Sequence, residues 1–213
     1  MKKLVDIIAK ALSILLYPLF IPTYGLALCC YADAVREVQI SPVYWIVAIG
    51  GTFVLTCVLP LTAILIMMRR GEVKDLQIEN AAERTMPYVY AVMGFVFWCY
   101  LLIGILHMPL YINAVGIGAT VALALVTFIN RYWKISAHLT ATGGLFGGIM
   151  SYCLGTGILP TWGTLCFWLV LALLLMYARL WLRAHTPTQV VVGWLLGLVC
   201  TFIPYLIISY AVG

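Results

Sequence analysis

Two of the three histidines lie where a polar segment meets a long apolar stretch. His138 follows Ser136 by two residues, and His185 follows Arg179 by six. The N–H groups and the dipole at a helix start favour an anion there, and a guanidinium holds phosphate oxygens in a forked geometry. One imidazole can attack phosphorus while another protonates the leaving oxygen. The two segments therefore indicate the chemistry of a phosphate ester.

A third polar segment, at about 69–86, carries Lys74 and Arg84. Each segment also has a structural explanation. The third could be a solvated connector, Ser136 could be an N-cap beside an interfacial histidine, and Arg179 could extend to lipid headgroups. Two histidines and at least two arginines at one interface nevertheless favour a shared anion site.

The elements that position these residues are expected to be membrane helices. The 213 residues are 65% apolar and 9% charged, and the mean hydropathy is +1.10, whereas soluble domains are about 25% charged. Apolar runs of roughly 18 residues or more recur, each long enough to span the hydrocarbon core, and none alternates as in a β-barrel. The composition predicts an all-α, polytopic transmembrane helix bundle that forms a single domain over 1–213.

Six to seven spans are expected, because the first candidate contains Pro18 and Pro22. That first candidate also carries Lys10, so it is interpreted as a retained helix rather than a cleaved signal. The candidate spans run at about 9–32, 43–68, 87–106, 110–132, 138–156, 160–182 and 186–211.

The basic residues are distributed unequally between the two sides of these spans. Eleven Lys and Arg fall on the side of the N-terminus and of the polar segments, against Arg36 on the other. Setting aside four that an anion site would attract leaves seven against one. The positive-inside rule therefore predicts that the N-terminus and the site face the cytoplasm. His107 lies on the opposite side and is interpreted as interfacial, with no role.

Small residues recur at helical spacing after His138. Gly143-Gly144 and Gly147-Gly148 favour close helix packing inside the bundle, and a homodimer face is the alternative. The seven cysteines are scattered without metal-ligand spacing and are interpreted as small apolar packing residues.

The three polar segments resemble the motifs of the type 2 phosphatidic acid phosphatase superfamily. That family carries Lys-x6-Arg-Pro, Pro-Ser-Gly-His and Ser-Arg-x5-His-x3-Asp, and the order is matched from about 74 to 197. The third motif matches best, with Arg179, His185 and Gln189 at the family spacing, and the second survives as Ser136 and His138. The first is weak. Arg84 is followed by Pro87 rather than directly by proline, Gln77 occupies the lysine spacing, and Lys74 could substitute for that lysine.

The resemblance implies a role for each matched residue. His185 would be the nucleophile that forms a phosphohistidine, and His138 the acid that protonates the leaving alkoxide. Arg84, Arg179, Ser136 and Lys74 would hold the phosphoryl oxygens. Gln189 departs from the family aspartate: its amide oxygen can orient His185 but supplies no charge.

The resemblance implies a divergent bacterial enzyme of the inner membrane. Its phosphatase-like core would lie at about 69–211, and it would use no metal and no cofactor. Its substrate would be a lipid phosphate whose tails stay in the bilayer, and no nucleic acid is expected as partner. Candidates are phosphatidic acid, phosphatidylglycerol phosphate, a polyprenyl phosphate or diphosphate, and a phosphorylated lipid A. The alternative is a family member without turnover that binds or transports phospholipid. A channel or proton-coupled transporter would need ionisable residues in mid-span, and the predicted spans are almost free of them, which disfavours this third alternative.

Overall fold

The computed structural model describes residues 2–38, 40–73, 85–158 and 162–212. Within these ranges the chain forms eight helices and no strand, which confirms the all-α prediction. In chain order the helices are α1 (Lys2–Leu15), α2 (Ile21–Val35), α3 (Pro42–Arg69), α4 (Thr85–Ile105), α5 (Leu110–Ile129), α6 (Ala137–Thr156), α7 (Trp162–Trp181) and α8 (Pro187–Val212). Helix α3 contains a π-helical turn at Val54–Val58, and α4 ends in another at Leu101–Ile105.

Five of the helices in the described ranges are long and apolar enough to cross a membrane: α3, α4, α5, α7 and α8. Their outer faces expose large apolar side chains such as Ile46, Phe97 and Phe167, as contact with lipid requires. Helix α6 is also 20 residues long, which corresponds to about 30 Å. It is less apolar and lies against α5 and α8 within the bundle. The chain is therefore an integral membrane protein.

The prediction of one continuous first span at 9–32 is wrong. The chain forms α1 and α2 instead, with turns at 16–20 between them. Pro18 lies in this break, because its ring and its missing N–H are incompatible with a helix interior. Pro22 lies in the first turn of α2, where a helix tolerates proline. The other six predicted spans correspond to α3–α8, with ends shifted by three residues or fewer.

The helices alternate in direction, so the bundle has two distinct ends. At one end, called here the histidine end, α6 and α8 begin side by side, and the Ser136 N–H donates to the Gln189 carbonyl at 3.4 Å. At the other, the far end, α2 and α6 finish together and the Tyr152 hydroxyl donates to the Asp33 carboxylate. The Tyr44 hydroxyl donates to the Leu106 carbonyl at 2.9 Å, which joins the start of α3 to the end of α4.

Helix α1 lies along the histidine end rather than across the bundle. The Trp181 indole N–H, at the end of α7, donates to Asp6 Oδ1 at 2.7 Å. His138 Nε2, at the start of α6, lies 3.1 Å from the Ser13 carbonyl oxygen. Asp6 and Ser13 are about 10 Å apart along α1, yet both contact residues at this one end. Helix α1 therefore covers part of the histidine end.

Glycines bring the backbones of α6 and α8 into contact. A Cβ added at Gly143 would lie 2.0 Å from the Trp194 carbonyl oxygen, and one at Gly197 would lie 1.9 Å from the Thr140 carbonyl oxygen. Only glycine permits approaches this close. The prediction that these small residues pack helices inside the bundle is confirmed.

Candidate active site

The turn between α7 and α8 sets the spacing from Arg179 to His185. The Ala184 N–H donates to the Arg179 carbonyl at 3.1 Å, and the Arg183 N–H donates to the Leu180 carbonyl at 3.0 Å. This pair of bonds is a Schellman C-cap, with Arg183 in the left-handed conformation at φ 52°. Helix α7 therefore ends sharply, and the chain reverses so that His185 stands just before α8.

Helix α8 begins with a capping box. The Gln189 N–H donates to Thr186 Oγ1 at 3.4 Å, and the Thr186 N–H donates to Gln189 Oε1 at 3.1 Å. Thr186 is the N-cap, Pro187 is the first helical residue, and Gln189 is the third. Gln189 thus has a structural role at the helix start that the sequence analysis missed. The Thr-x-x-Gln pattern before an apolar run was the signal for it.

The imidazole of His185 is held from one side by two oxygens. Its Nδ1 lies 3.3 Å from Gln189 Oε1 and 3.3 Å from the Lys134 carbonyl oxygen. The bond from the Thr186 N–H requires that the Gln189 amide present its oxygen here. Because both oxygens can only accept, Nδ1 carries the proton and Nε2 keeps its lone pair. The ring is 9% exposed and is oriented with a nucleophilic nitrogen directed away from its supports.

Ser136 is the N-cap of α6. Its hydroxyl accepts from the Leu139 N–H at 3.5 Å, and its carbonyl accepts from the Thr140 N–H at 3.0 Å. The residue is fully buried. The structural explanation of Ser136 as a cap is therefore correct, and its hydroxyl lies at the start of α6, next to the α8 backbone at Gln189.

The structure places His138 against α1. Because the Ser13 carbonyl can only accept, His138 Nε2 donates to it. The Tyr17 ring packs edge-on against the imidazole, with centroids 5.5 Å apart. His138 is 9% exposed. The proton of Nε2 is thus engaged by α1, and Nδ1 is the other position from which this ring could transfer a proton.

Arg179 lies in the last turn of α7 and is only 5% exposed. Such burial is rare for arginine and requires compensation of its charge. A surface pocket that begins at the following residue, Leu180, is lined by His185 and Gln189 and by the basic residues Lys134 and Arg183. Lys134 and Arg183 are two of the four basic residues set aside above because an anion site would attract them. Two cationic side chains and the start of α8 therefore line the pocket that contains His185.

Two predicted phosphate-binding residues, Lys74 and Arg84, lie outside the described residues. His107 lies at the far end, between α4 and α5, at φ 47°, on the side that the sequence predicted. Among the described residues, no three His, Cys, Asp or Glu side chains are grouped so that they could hold a metal ion.

Comparison with protein-family models matches residues 113–212 to the PAP2 superfamily. The matched region contains Ser136, His138, Arg179, His185 and Gln189, and it begins after the segment with Lys74 and Arg84. No curated protein and no solved structure matches the chain.

Proposed function

We propose, on the premise that residues 113–212 match the PAP2 superfamily, that the chain hydrolyses a lipid phosphate or diphosphate in the membrane. Members of this superfamily are generally phosphatases, which supports a phosphoester hydrolase. The observation that carries the proposal is the orientation of His185: two acceptor oxygens hold Nδ1–H, which makes Nε2 the nucleophilic nitrogen of the ring.

The reaction would proceed in two displacements. His185 Nε2 attacks phosphorus, so that a nitrogen–phosphorus bond forms and the ester oxygen–phosphorus bond breaks. His138 enters this step as the imidazolium, with Nε2–H bonded to α1, and its Nδ1 proton passes to the leaving alkoxide. Water then attacks the phosphohistidine, transfers a proton to His138 and releases phosphate, which restores His185.

The basic residues would stabilise the negative charge that spreads over the phosphoryl oxygens. Arg179 and the Ser136 hydroxyl fill this role in the resemblance, together with Arg84 and Lys74. Lys134 and Arg183 line the pocket that contains His185 and would add to the same field. A lipid substrate fits this placement, because a lipid whose phosphate binds at the histidine end can place its tails along the apolar helices. We also propose that this end faces the cytoplasm of a bacterial inner membrane.

One observation favours a second function, the binding or transport of phospholipid without turnover. Gln189 holds His185 through an uncharged oxygen, whereas the family aspartate would stabilise the imidazole as it becomes positive during attack. For the His–Asp pair of serine proteases, replacing the aspartate by asparagine costs about 10⁴ in rate, with the imidazole then in the wrong tautomer. A phosphate site of this kind would still bind its ligand.

The test is phosphate release by the purified protein in detergent. The panel contains phosphatidic acid, phosphatidylglycerol phosphate, a polyprenyl phosphate, a polyprenyl diphosphate and a phosphorylated lipid A. His185→Ala removes the nucleophile, and His107→Ala is the matched control, since it removes a histidine at the far end. We expect release that survives EDTA, vanishes in His185→Ala and persists in His107→Ala.

A second measurement separates the two functions. Brief incubation with ³²P-labelled substrate, followed by alkaline quenching, should leave acid-labile label on the wild-type protein and none on His185→Ala. Release that persists in His185→Ala would contradict the nucleophile assignment. Binding of a lipid phosphate without release from any member of the panel would support the lipid-binding function instead.

A further inference from the structure

A mostly apolar cavity of about 570 Å³ lies between α2 and helices α4 to α7. This volume is typical of sites that bind a small molecule, which range over about 300–1,000 Å³. Its walls include Phe95 and Trp98 of α4, Ala119 of α5 and Trp168 of α7. None of these residues belongs to the group around His185.

The cavity is elongated along the membrane normal. Its wall follows α6 from Ala137, the first residue of that helix, to Tyr152 near its end. At the rise of an α-helix this separation is about 22 Å, against about 30 Å for the hydrocarbon core of a bilayer. The cavity therefore has the length of an extended hydrocarbon chain that lies parallel to the helices.

The cavity opens at the far end. The exposed wall residues lie there, among them Tyr31 at 70% and Val35 at 65%, whereas those toward the histidine end are buried or half-buried, with Leu19 at 9% and Val126 at 1%. The opening thus lies at the membrane face opposite His185. A ligand that enters here comes from the other leaflet and does not pass the phosphate site.

A hydrocarbon chain is the ligand that these walls favour. Apolar walls offer water few hydrogen-bond partners, and an empty space would leave their atoms without dispersion contacts. The opening is at the level of the lipid, so the chains of neighbouring lipids are the apolar groups within reach.

The polar groups at the opening carry both signs of charge. Arg36 Nη1 lies 3.4 Å from Asp33 Oδ1 and donates to the Tyr152 hydroxyl at 3.4 Å. Arg36 is half-exposed while Asp33 is buried. Glu37 follows Arg36 and is exposed. An anionic headgroup would meet the exposed carboxylate of Glu37, and a cationic one would meet the guanidinium of Arg36. A zwitterionic headgroup can place its phosphate near Arg36 and its ammonium near Glu37.

We propose that this cavity binds one acyl chain of a zwitterionic phospholipid from the leaflet at the far end, as a structural lipid separate from the reaction at His185. The proposal does not depend on catalysis. It predicts that the chain retains this lipid whether or not it hydrolyses a phosphate ester.

The experiment is native mass spectrometry of the protein released from vesicles of equal parts phosphatidylcholine and phosphatidylglycerol. Ala119→Phe fills the cavity from α5, and Ala32→Phe narrows it from α2. Ala124→Phe is the matched control, because it adds the same ring on the exposed, lipid-facing side of α5. Circular dichroism and size-exclusion chromatography establish that each variant remains folded.

We expect one phosphatidylcholine per chain on the wild type, on Ala124→Phe and on His185→Ala. Retention should fall at least about tenfold in Ala119→Phe or, if that variant does not fold, in Ala32→Phe. Equal retention by the filled variants, or none by the wild type, would overturn the proposal. A preference for phosphatidylglycerol would overturn the headgroup assignment. Displacement by added phosphatidic acid would mean that the substrate occupies the cavity, and would overturn its separation from the reaction.

Discussion

The amide of Gln189 has two functions that a sequence comparison cannot separate. Its oxygen accepts from the Thr186 N–H and thereby caps α8, and it also lies 3.3 Å from His185 Nδ1. An aspartate at this position would bring charge to the imidazole, but its side chain is one methylene shorter. Gln189 therefore meets the preference of a capping box for Glu or Gln, and it orients the nucleophile without supplying charge.

Gln189→Glu should increase activity, because it keeps the length that the capping box needs and adds the missing charge. We expect a rise in kcat of about 10- to 100-fold, smaller than the ~10⁴ of the Asp→Asn change in serine proteases, because Gln189 already holds the correct tautomer of His185. Gln189→Asp should raise turnover less, since it loses the bond to Thr186. The rate of phosphate release is measured for the wild type and for both variants. A drop in kcat for both acidic variants would show that the charge of residue 189 is not the missing component.

The left-handed conformation of Arg183 is a second feature that can be tested at a single residue. Glycine is the usual residue at this position of a Schellman cap, and other residues are strained there by roughly 1 kcal/mol. Arg183→Gly should raise the thermal midpoint in detergent by about 2–4 °C. Arg183→Ala removes the same charge but keeps the strain, so an equal rise in that variant would assign the effect to charge.

At the scale of helices, the sequence located six spans because each is one long apolar run. It failed at the first because apolar content does not show whether a segment crosses a bundle or lies along its end. Pro18 marked the break, but the contacts of Asp6 and Ser13 that hold α1 at the histidine end come from residues more than 120 positions away. Periodicity within one segment carries no information about such contacts.

The candidate site was also predictable only in part, for the same reason. The spacing from Arg179 to Gln189 predicted the group around His185, because that group is local in sequence and the turn that shapes it is continuous. The contact of His185 with the Lys134 carbonyl was not predicted, since it joins the adjacent starts of α6 and α8, which are 51 positions apart in the sequence. The contact between His138 and the Ser13 carbonyl depends on the position of α1, so the sequence did not predict it either.

The close contact of α6 and α8 at Gly197 allows a prediction about thermal stability. An added Cβ would lie 1.9 Å from the Thr140 carbonyl oxygen, so Gly197→Ala must separate α6 from α8. Overpacking of this kind costs about 1–3 kcal/mol or more. Gly50→Ala is the control, because nothing lies within 4 Å of its Cβ position in α3, and it should be neutral or slightly stabilising. Thermal unfolding in detergent compares them, and equal midpoints would contradict the close α6–α8 contact.

For the whole molecule, the charge asymmetry predicts that the histidine end faces the cytoplasm. Glu72→Cys places a thiol at that end, and Ser41→Cys places one at the far end, both at exposed positions. An impermeant thiol reagent added to intact cells should label Ser41→Cys above the wild-type background and leave Glu72→Cys unlabelled until the membrane is opened. The reverse pattern would invert the orientation and put the reaction on the outer face.

The backbone contact between α6 and α8 also limits how the molecule can move during a reaction cycle. The two helices touch along Gly143, Gly147 and Gly197, so neither can slide or tilt without the other. His138 stands at the start of one and His185 just before the other, and the pair of imidazoles is consequently carried on one rigid frame. Any motion that admits a lipid to this end must come from the surrounding parts. Helix α1 contacts the frame through Ser13 and contacts α7 through Asp6, and it is the part placed to move.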